Sequence, residues 1–429
     1  MKAYAGKVLI IVQNLPVPLD RRVWLEARTL RRYGYKVSVI CPKSKEYVSS
    51  YEVIEDIAIY RYRMPFESHA PFSYLIEFIY AWIATALLSL KVLRREGFDV
   101  IHACNPPDTF FLLGLLYKPF GKIFLFDHHD LSPEMFLAKF QGRRDLLFKA
   151  LVLLEKLTMK TARVVLATNE SYREVAVQRG HKHPSDIFIV RTGPDLDQLK
   201  PVAVDASLKR GYPYLVCYLG EMCPQDGVDY LLRAAHYLLN RLNRQDAGFA
   251  LIGGGPAVLH LKDLTEKMGL QHAVWFPGRL TDDMVSKYLS TADVCVDPDP
   301  WSEWANNSTM NKILEYMTFA KPIVTFDLKE IRHSARRAAA YVRPNDVRRF
   351  AEKIGELLDH PEERRRMGEY GRHRIINELA WNHTSPPLLA AYAKLFNRKP
   401  AGEAEVEIDQ KIKESLRQLK LDQTPTLVE

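Results

Sequence analysis

Asn307, Ser308, Thr309, Met310, Asn311, Lys312 and Glu315 fall in one short run, NSTMNKILE, between two short apolar strands. Their types suit the holding of a phosphate and a ribose. Asn, Ser and Thr at a helix start offer side-chain oxygens to backbone N–H groups, and a helix N-terminus with free N–H groups attracts anions. Lys312 and Glu315, three apart, project from one helix face. The lysine adds a cation near the helix start, and a carboxylate one turn further in can accept two ribose hydroxyls. An anion site and a ribose hook at the end of a strand describe a nucleotide pocket in an α/β sheet.

A second polar cluster, His128-His129-Asp130, follows directly on the strand Ile123–Phe126 and Asp127. Ligands collect at the carboxyl edge of such a sheet, so the cluster is more than a core histidine. Zinc is the other reading of adjacent His and Asp. Neighbours in a strand-like run face opposite ways and share one ion poorly, so no metal is assigned. Asp20-Arg21-Arg22 opens a helix, where the dipole favours anions and arginines are out of place. They make sense if an anion is held there, with a solvated face as the alternative; Arg22 is assigned to substrate. Asp130 and Asn169, the latter in the strand-end run LATNESY, are further substrate-side candidates. Gly220, Gly253, Gly255 and Gly278 (followed by Arg279) sit between strands and helices, where backbone passes close to a ligand or a neighbour.

The elements that position these residues alternate along the chain, which argues for parallel sheets covered on both faces. In the first half, strands are expected at 7–12, 36–41, 99–102, 122–127, 163–167 and 187–190, with a hairpin at 52–63. Residues 196–213 read as a hinge, rich in Pro and Gly. The second series has strands at 214–219, 248–252, 273–276, 293–297 and 323–326, and a helix over 308–319. One long helix is expected from Trp381 to Phe396.

The donor-site run, continued through Tyr316-Met317 and Ala320-Lys321-Pro322, resembles the corresponding segment of the family-4 retaining glycosyltransferases. The resemblance covers roughly residues 5–397. It implies the GT-B fold, two Rossmann-like α/β domains with parallel sheets facing across a cleft. The domains are then 1–197 on the acceptor side and 198–375 for the nucleotide sugar. A helix at 376–397 returns to the first domain, and 398–429 is a polar tail. It also implies that His129 approaches the donor sugar, that Asp20-Arg21-Arg22 stands where a glycine-rich loop is usual, and that Gly253-Gly254-Gly255-Pro256 is the Gly-x-Gly-Pro turn. The turn at Arg191-Thr192-Gly193-Pro194-Asp195 matches the family's Asn-Gly-hydrophobic-Asp.

Three positions depart from that pattern. The first of the family's paired glutamates is Asn307, which can hydrogen-bond a sugar hydroxyl but carries no charge. The usual Arg and Lys after the glycine of the second domain's first strand are Glu221 and Asp226. The expected compensation moves the cation to Lys312, with Arg22 and Arg279 adding charge, and makes His129, Lys312 and Asn307 the catalytic set. Asp297-Pro298-Asp299 resembles an Asp-x-Asp metal motif only over three residues and is read as a strand end shaping the cleft. The activity implied is transfer of a sugar, with retention, from a UDP- or GDP-linked donor to a glycan or lipid-linked acceptor, without cofactor or metal. A catalytically silent binding subunit and a nucleotide-sugar epimerase are the alternatives.

Bulk properties fit this reading. At 429 residues, with 47% hydrophobic and 26% charged, the chain is long enough for two cores and is not of disordered composition. Five scattered cysteines without a CxxC read as reduced thiols of a cytoplasmic protein. Residues 1–200 hold 29 Lys and Arg against 21 Asp and Glu, whereas the remainder holds 31 against 31. An anionic membrane face is the more economical partner of that basic half; no nucleic-acid motif accompanies it. The apolar run from Tyr74 to Leu93 is interrupted by Glu77 and Lys91 and leads into a strand. It is expected to be a buried layer helix, with peripheral membrane contact as the lesser reading.

Overall fold

The computed structural model describes residues 4–64, 71–140, 142 and 144–398. The chain forms two compact units. One comprises Met1–Ser132, Ala150–Val190 and the described part of Thr384–Glu429; the other comprises Pro133–Lys149 and Arg191–His383. The division thus falls at Val190 and Arg191, ahead of the boundary expected at 197. The segment Pro133–Lys149 belongs with the second unit, where Arg144 meets Glu303 at 2.5 Å. The expected tail lies outside the described residues.

The first unit is built on an eight-stranded sheet. Its strands are β1 (Lys7–Ile11), β2 (Lys36–Pro42), β3 (Tyr51–Ile54), β4 (Ile57–Tyr62), β5 (Val100–Cys104), β6 (Ile123–His128), β7 (Val164–Ala167) and β8 (Ile187–Ile189). They lie in the order β3-β4-β2-β1-β5-β6-β7-β8. All pairs are parallel except β3 with β4. Runs such as Val-Leu-Ile-Ile in β1 and Val-Ile-His-Ala-Cys in β5 are buried throughout, as strands covered on both faces require. Between β3 and β4, Glu55 and Asp56 take φ of 48° and 61°, the two left-handed residues of a tight hairpin turn.

Helix α1 (Arg21–Arg32) comes after β1 and is capped by Asp20, whose carboxylate accepts from Val23 N at 3.0 Å. Helix α2 (Pro71–Arg95) joins β4 to β5 and packs on β2 and β4. It is not the buried helix that the sequence led us to expect. Ala81, Thr85, Ser89 and Val92 turn inward, while Ile79, Ile83, Leu87 and Leu90 are exposed. Helix α3 (Phe111–Tyr117) comes after β5.

The second unit carries a six-stranded sheet of β9 (Tyr214–Glu221), β10 (Ala247–Gly254), β11 (Val274–Gly278), β12 (Val294–Asp297), β13 (Ile323–Phe326) and β14 (Ala339–Val342). Its order is β11-β10-β9-β12-β13-β14, with every pair parallel. Strand order reverses outward from β9 and β12, so the carboxyl ends of those strands form a topological switch point, where α/β sheets bind ligands. Tyr316 plugs the place where the two strands part. Its hydroxyl accepts from Leu219 N at 2.8 Å and donates to Val296 O at 3.1 Å.

The helix expected at 308–319 starts later, as Asn311–Thr318, and a separate short helix, Glu303–Asn307, stands in the loop before it. The helix expected at 381–396 is the second difference, broken into Trp381–Thr384 and Pro386–Leu395. This break has a plain cause, since Pro386 and Pro387 supply no N–H to continue the earlier turn. The Pro386–Leu395 helix is part of the first unit, where the Tyr392 hydroxyl lies 2.9 Å from His102 Nδ1.

Gly253 has φ of 135°, and a Cβ there would lie 1.8 Å from Gly220 O. Gly278 has φ of 81° with open space around it. Gly253→Ala should therefore lower unfolding free energy by about 3 kcal/mol or more. Gly278→Ala should lose about 1–2 kcal/mol, the strain of the left-handed backbone alone. Urea denaturation of both variants checks the ranking.

Candidate functional site

At the second sheet's switch point the structure places Lys312 away from the role expected of it. Its ammonium lies 3.1 Å from Asp297 Oδ1 and 3.0 Å from Asp299 Oδ2, and 5.0 Å from the centre of the Tyr218 ring. Burial works against the charge, but the two carboxylates outweigh it and hold the lysine well above its usual pKa. Burial and the Asp297 carboxylate push Asp299 well above the usual carboxylate range, against the pull of Lys312. This is a closed ion group, with its cation already matched. Lys312 is therefore corrected from a phosphate ligand to a buried structural cation, and the Asp-Pro-Asp strand end is its counterion.

The acids at 221 and 226 also find partners. Glu221 meets Arg279 Nη2 at 2.8 and 3.0 Å on an exposed surface. The charge of Arg279 thus answers Glu221 and is not a surplus. Asp226 is buried and accepts from Cys223 N at 2.8 Å, closing the turn after β9. Gly220 lies against Tyr218 and Lys312, while Gly253 and Gly255 press on the backbone of Gly220 and Met222. Their close approach is to neighbouring chain, the second of the two options that the sequence left open.

The Asn311–Thr318 helix starts differently from the expectation. Its N-cap position is Met310, which makes no side-chain cap. Asn307 and Ser308 instead turn back on the preceding short helix: Asn307 Nδ2 donates to Glu303 O at 2.9 Å and Ser308 Oγ to Trp304 O at 2.7 Å. They are corrected from caps of the later helix. Thr309 stands just before that helix, and Arg191 Nη1 donates to its Oγ1 at 3.4 Å. Arg191 also approaches the buried Glu330, at 3.6 Å. Beside them His333 is driven down to about 3, first by burial and then by Arg191, Arg374, Arg336 and Lys329. Arg191 is the cation that the structure sets beside the start of the same helix. Arg191 was visible in the sequence only as part of a turn; its place at a strand end beside a hinge was the available signal. Asn311 is exposed, and Glu315, half-buried, lies one turn further on the same side.

In the first unit the polar cluster converges on Asp127. Arg22 grips it with Nη2 at 2.6 Å and Nε at 3.1 Å, and also donates to Val190 O at 2.6 Å. His129 Nε2 lies 2.5 Å from Asp127 Oδ2, and His102 Nε2 lies 3.4 Å from the same oxygen. Despite burial, Arg22, His129 and His102 hold Asp127 well below the usual carboxylate range. Glu26, 3.2 Å from Arg22, moves the other way, raised by burial and by Asp127. Arg22 is thus corrected from a substrate contact to a buried clamp. His102, Cys104 and Asp127 place three metal-type donor atoms within 4.8 Å, but Arg22 already occupies the carboxylate and burial keeps Cys104 a thiol.

His129 and Asp130 are held by Asn105, a residue that carries no motif. Asn105 Oδ1 accepts from His129 N at 2.7 Å and Asp130 N at 3.2 Å, and its Nδ2 donates to Asp130 O at 2.7 Å. The Asn-Pro-Pro-Asp run after β5 was the available signal. Asn169 is fully buried and its Oδ1 accepts from Tyr172 N at 2.9 Å, so it is corrected from a substrate candidate to a helix cap.

Two sequence-family models match the chain, Glycosyltransferase Family 4 over residues 19–198 and Glycosyl transferases group 1 over residues 213–360. The first model matches the N-terminal part of the chain and the second the C-terminal part, each over less than half of its length. It is 29% identical over 157 residues to the alpha-D-kanosaminyltransferase of Streptomyces kanamyceticus, covering 36% of this chain and 39% of that protein. Three curated relatives are matched over 39%, 42% and 59% of their own length, so the chain spans less than two thirds of each. In structure it is similar to sucrose-phosphate synthase of Thermosynechococcus elongatus, with TM-score 0.73, 20% identity, and 91% of this chain and 99% of that one covered. It is also similar to Anabaena HepE in complex with UDP and glucose, with TM-score 0.69, 14% identity, and 91% and 100% covered. These likenesses bear out the GT-B fold class, two parallel-sheet α/β domains.

Two measurements test the site's electrostatics. Lys312→Met leaves two buried carboxylates without their cation and should cost about 3–5 kcal/mol in urea unfolding. Asp108, which accepts from Asn105 at 3.2 Å, is raised from 3.8 to about 7 by burial and by Glu155. The fold then binds a proton that the unfolded chain releases, so this contribution is full below 3.8 and is lost as pH rises to about 7. The stability difference between wild type and Asp108→Asn should shift in that direction across the window, and be flat above it.

Proposed function

We propose that the chain transfers a sugar, with retention at the anomeric carbon, from a nucleotide diphosphate donor to a glycan or lipid-linked acceptor at the cytoplasmic face of a membrane. One observation carries the reading: Arg191 stands 3.4 Å from Thr309 at the start of the Asn311–Thr318 helix, where Met310 makes no side-chain cap. Helix N–H groups and a guanidinium together suit a diphosphate, whose charge grows as the sugar leaves. Offsetting that growing charge is the largest contribution a transferase of this kind can make. Glu315, one turn on, is placed to accept ribose hydroxyls.

In the first unit, His129 is the sugar-side group implied by the family resemblance. Asp127 fixes its ring and Asn105 its backbone, so the imidazole is presented in one orientation. Asp130, anchored by the same Asn105, is the acceptor-side carboxylate. Arg279 adds charge on demand. Its exposed pair with Glu221 is worth about 0–1 kcal/mol, so an incoming phosphate exchanges for it at little cost. UDP is the first donor nucleotide to try, since HepE was captured with UDP. The reaction as proposed uses no divalent metal.

A panel of UDP- and GDP-sugars, assayed for release of the nucleoside diphosphate with EDTA present, tests the reading. One or more donors should turn over, and Arg191→Ala should lower kcat by about 10²-fold or more in a variant that circular dichroism shows to be folded. An Arg191→Ala enzyme as active as wild type would remove the phosphate assignment. Calorimetry showing that no nucleotide sugar binds would favour a silent subunit.

A further inference from the structure

Helix α2 is amphipathic in the reverse of the usual sense. Its inner face is Ala81, Thr85, Ser89 and Val92, all fully buried, and the Ser89 hydroxyl is hydrogen-bonded to that of Tyr117 at 2.8 Å. Its outer face is Ile76, Ile79, Tyr80, Ile83, Leu87 and Leu90, with Ile83 51% and Leu87 64% exposed. The spacing of three and four keeps these side chains on one stripe for four turns. The stripe continues into Lys91, Arg94 and Arg95, all exposed. The Ser89–Tyr117 bond sets α3 beside α2, and α3 turns Leu112, Leu115 and Leu116 outward. Phe120, 69% exposed, comes next, between Lys118 and Lys122.

We infer that the exposed faces of α2 and α3 form a docking surface for an anionic lipid bilayer, with the apolar stripe in the headgroup–acyl boundary and Arg94, Lys118 and Lys122 at the lipid phosphates. Scattered apolar residues on a surface need no explanation, but two adjacent helices with aliphatic outer faces do. A spanning role does not fit, because the inner face of α2 is committed to β2 and β4. A helix lying in the interface plane does fit, apolar on one side and cationic at its end. Charge chooses the occupant. The surplus of basic over acidic residues, 29 against 21, falls within residues 1–200, which include both helices. Lys91 and Arg95 lean over the Tyr60 and Tyr51 rings, at 6.0 and 5.0 Å, and are not counted among the lipid contacts. A second copy of the chain would meet the same cationic end with another.

The surface deepens the membrane placement proposed above but does not depend on sugar transfer, and its test needs neither donor nor acceptor. The full chain is sedimented with vesicles of equimolar phosphatidylcholine and phosphatidylglycerol, and with phosphatidylcholine alone. Wild type should pellet with the first and remain in solution with the second. Ile83→Glu combined with Leu87→Glu, at exposed positions, should lower the bound fraction about tenfold or more. Arg94→Glu should lower it less, and salt should weaken wild-type binding. Leu87→Trp gives a second readout, a blue shift of emission on the anionic vesicles. Circular dichroism checks that each variant is folded. Wild type left in solution with both vesicles overturns the inference. So does an unshifted Leu87→Trp spectrum, or a dimer that Ile83→Glu with Leu87→Glu converts to monomer. Vesicle binding without sugar transfer would leave this surface standing and remove the transferase reading.

Discussion

The ion group of Lys312, Asp297 and Asp299 fixes the centre of the second unit. One ammonium ties the end of β12 to the helix that carries Glu315, and lies over the ring of Tyr218 in β9. Charges taken so far from water persist only when matched, and here the match is with Asp297 and Asp299, the latter pushed up by burial and by Asp297. The strand end, the helix start and the turn after β9 are therefore one assembly. Whatever binds beside it meets a surface whose shape is set before the ligand arrives.

The same rule governs the first unit. Asp127 is ionised because Arg22, His129 and His102 surround it, and that leaves His129 held in place at the sheet's edge. Both units bury a cation-matched acid at their strand ends. The most conspicuous charges in the sequence, Lys312 and Arg22, are thus spent on buried acids.

Much of the fold was legible. Alternating aliphatic runs and capped helices gave the two parallel sheets, and the glycine turn Gly253-Gly254-Gly255 sat where two loops crowd together. The failures share a cause. Lys312 was read by its neighbours along the helix, but its partners come from a strand end upstream, and sequence does not show which way a carboxylate turns. Asn307 and Ser308 look like caps for the helix after them, yet they close the helix before them. Helix α2 read as core because it is aliphatic, whereas Thr85 and Ser89, on the spacing that faces the sheet, were the sign that small residues lie within and large ones without. Asn105 was hidden because a single amide holding a turn has no motif.

Tyr316 has a further mechanical meaning. By bonding to Leu219 and Val296 at once, it rivets its helix across the seam between two strands, so the helix and the middle of the sheet move as one body. The connection 298–310 carries a short helix and Pro298 and Pro300 outside that rivet, with Asp299 alone tied back to Lys312. Substitutions in that connection beyond Asp299 would alter a loop and leave the helix and sheet behind it in place.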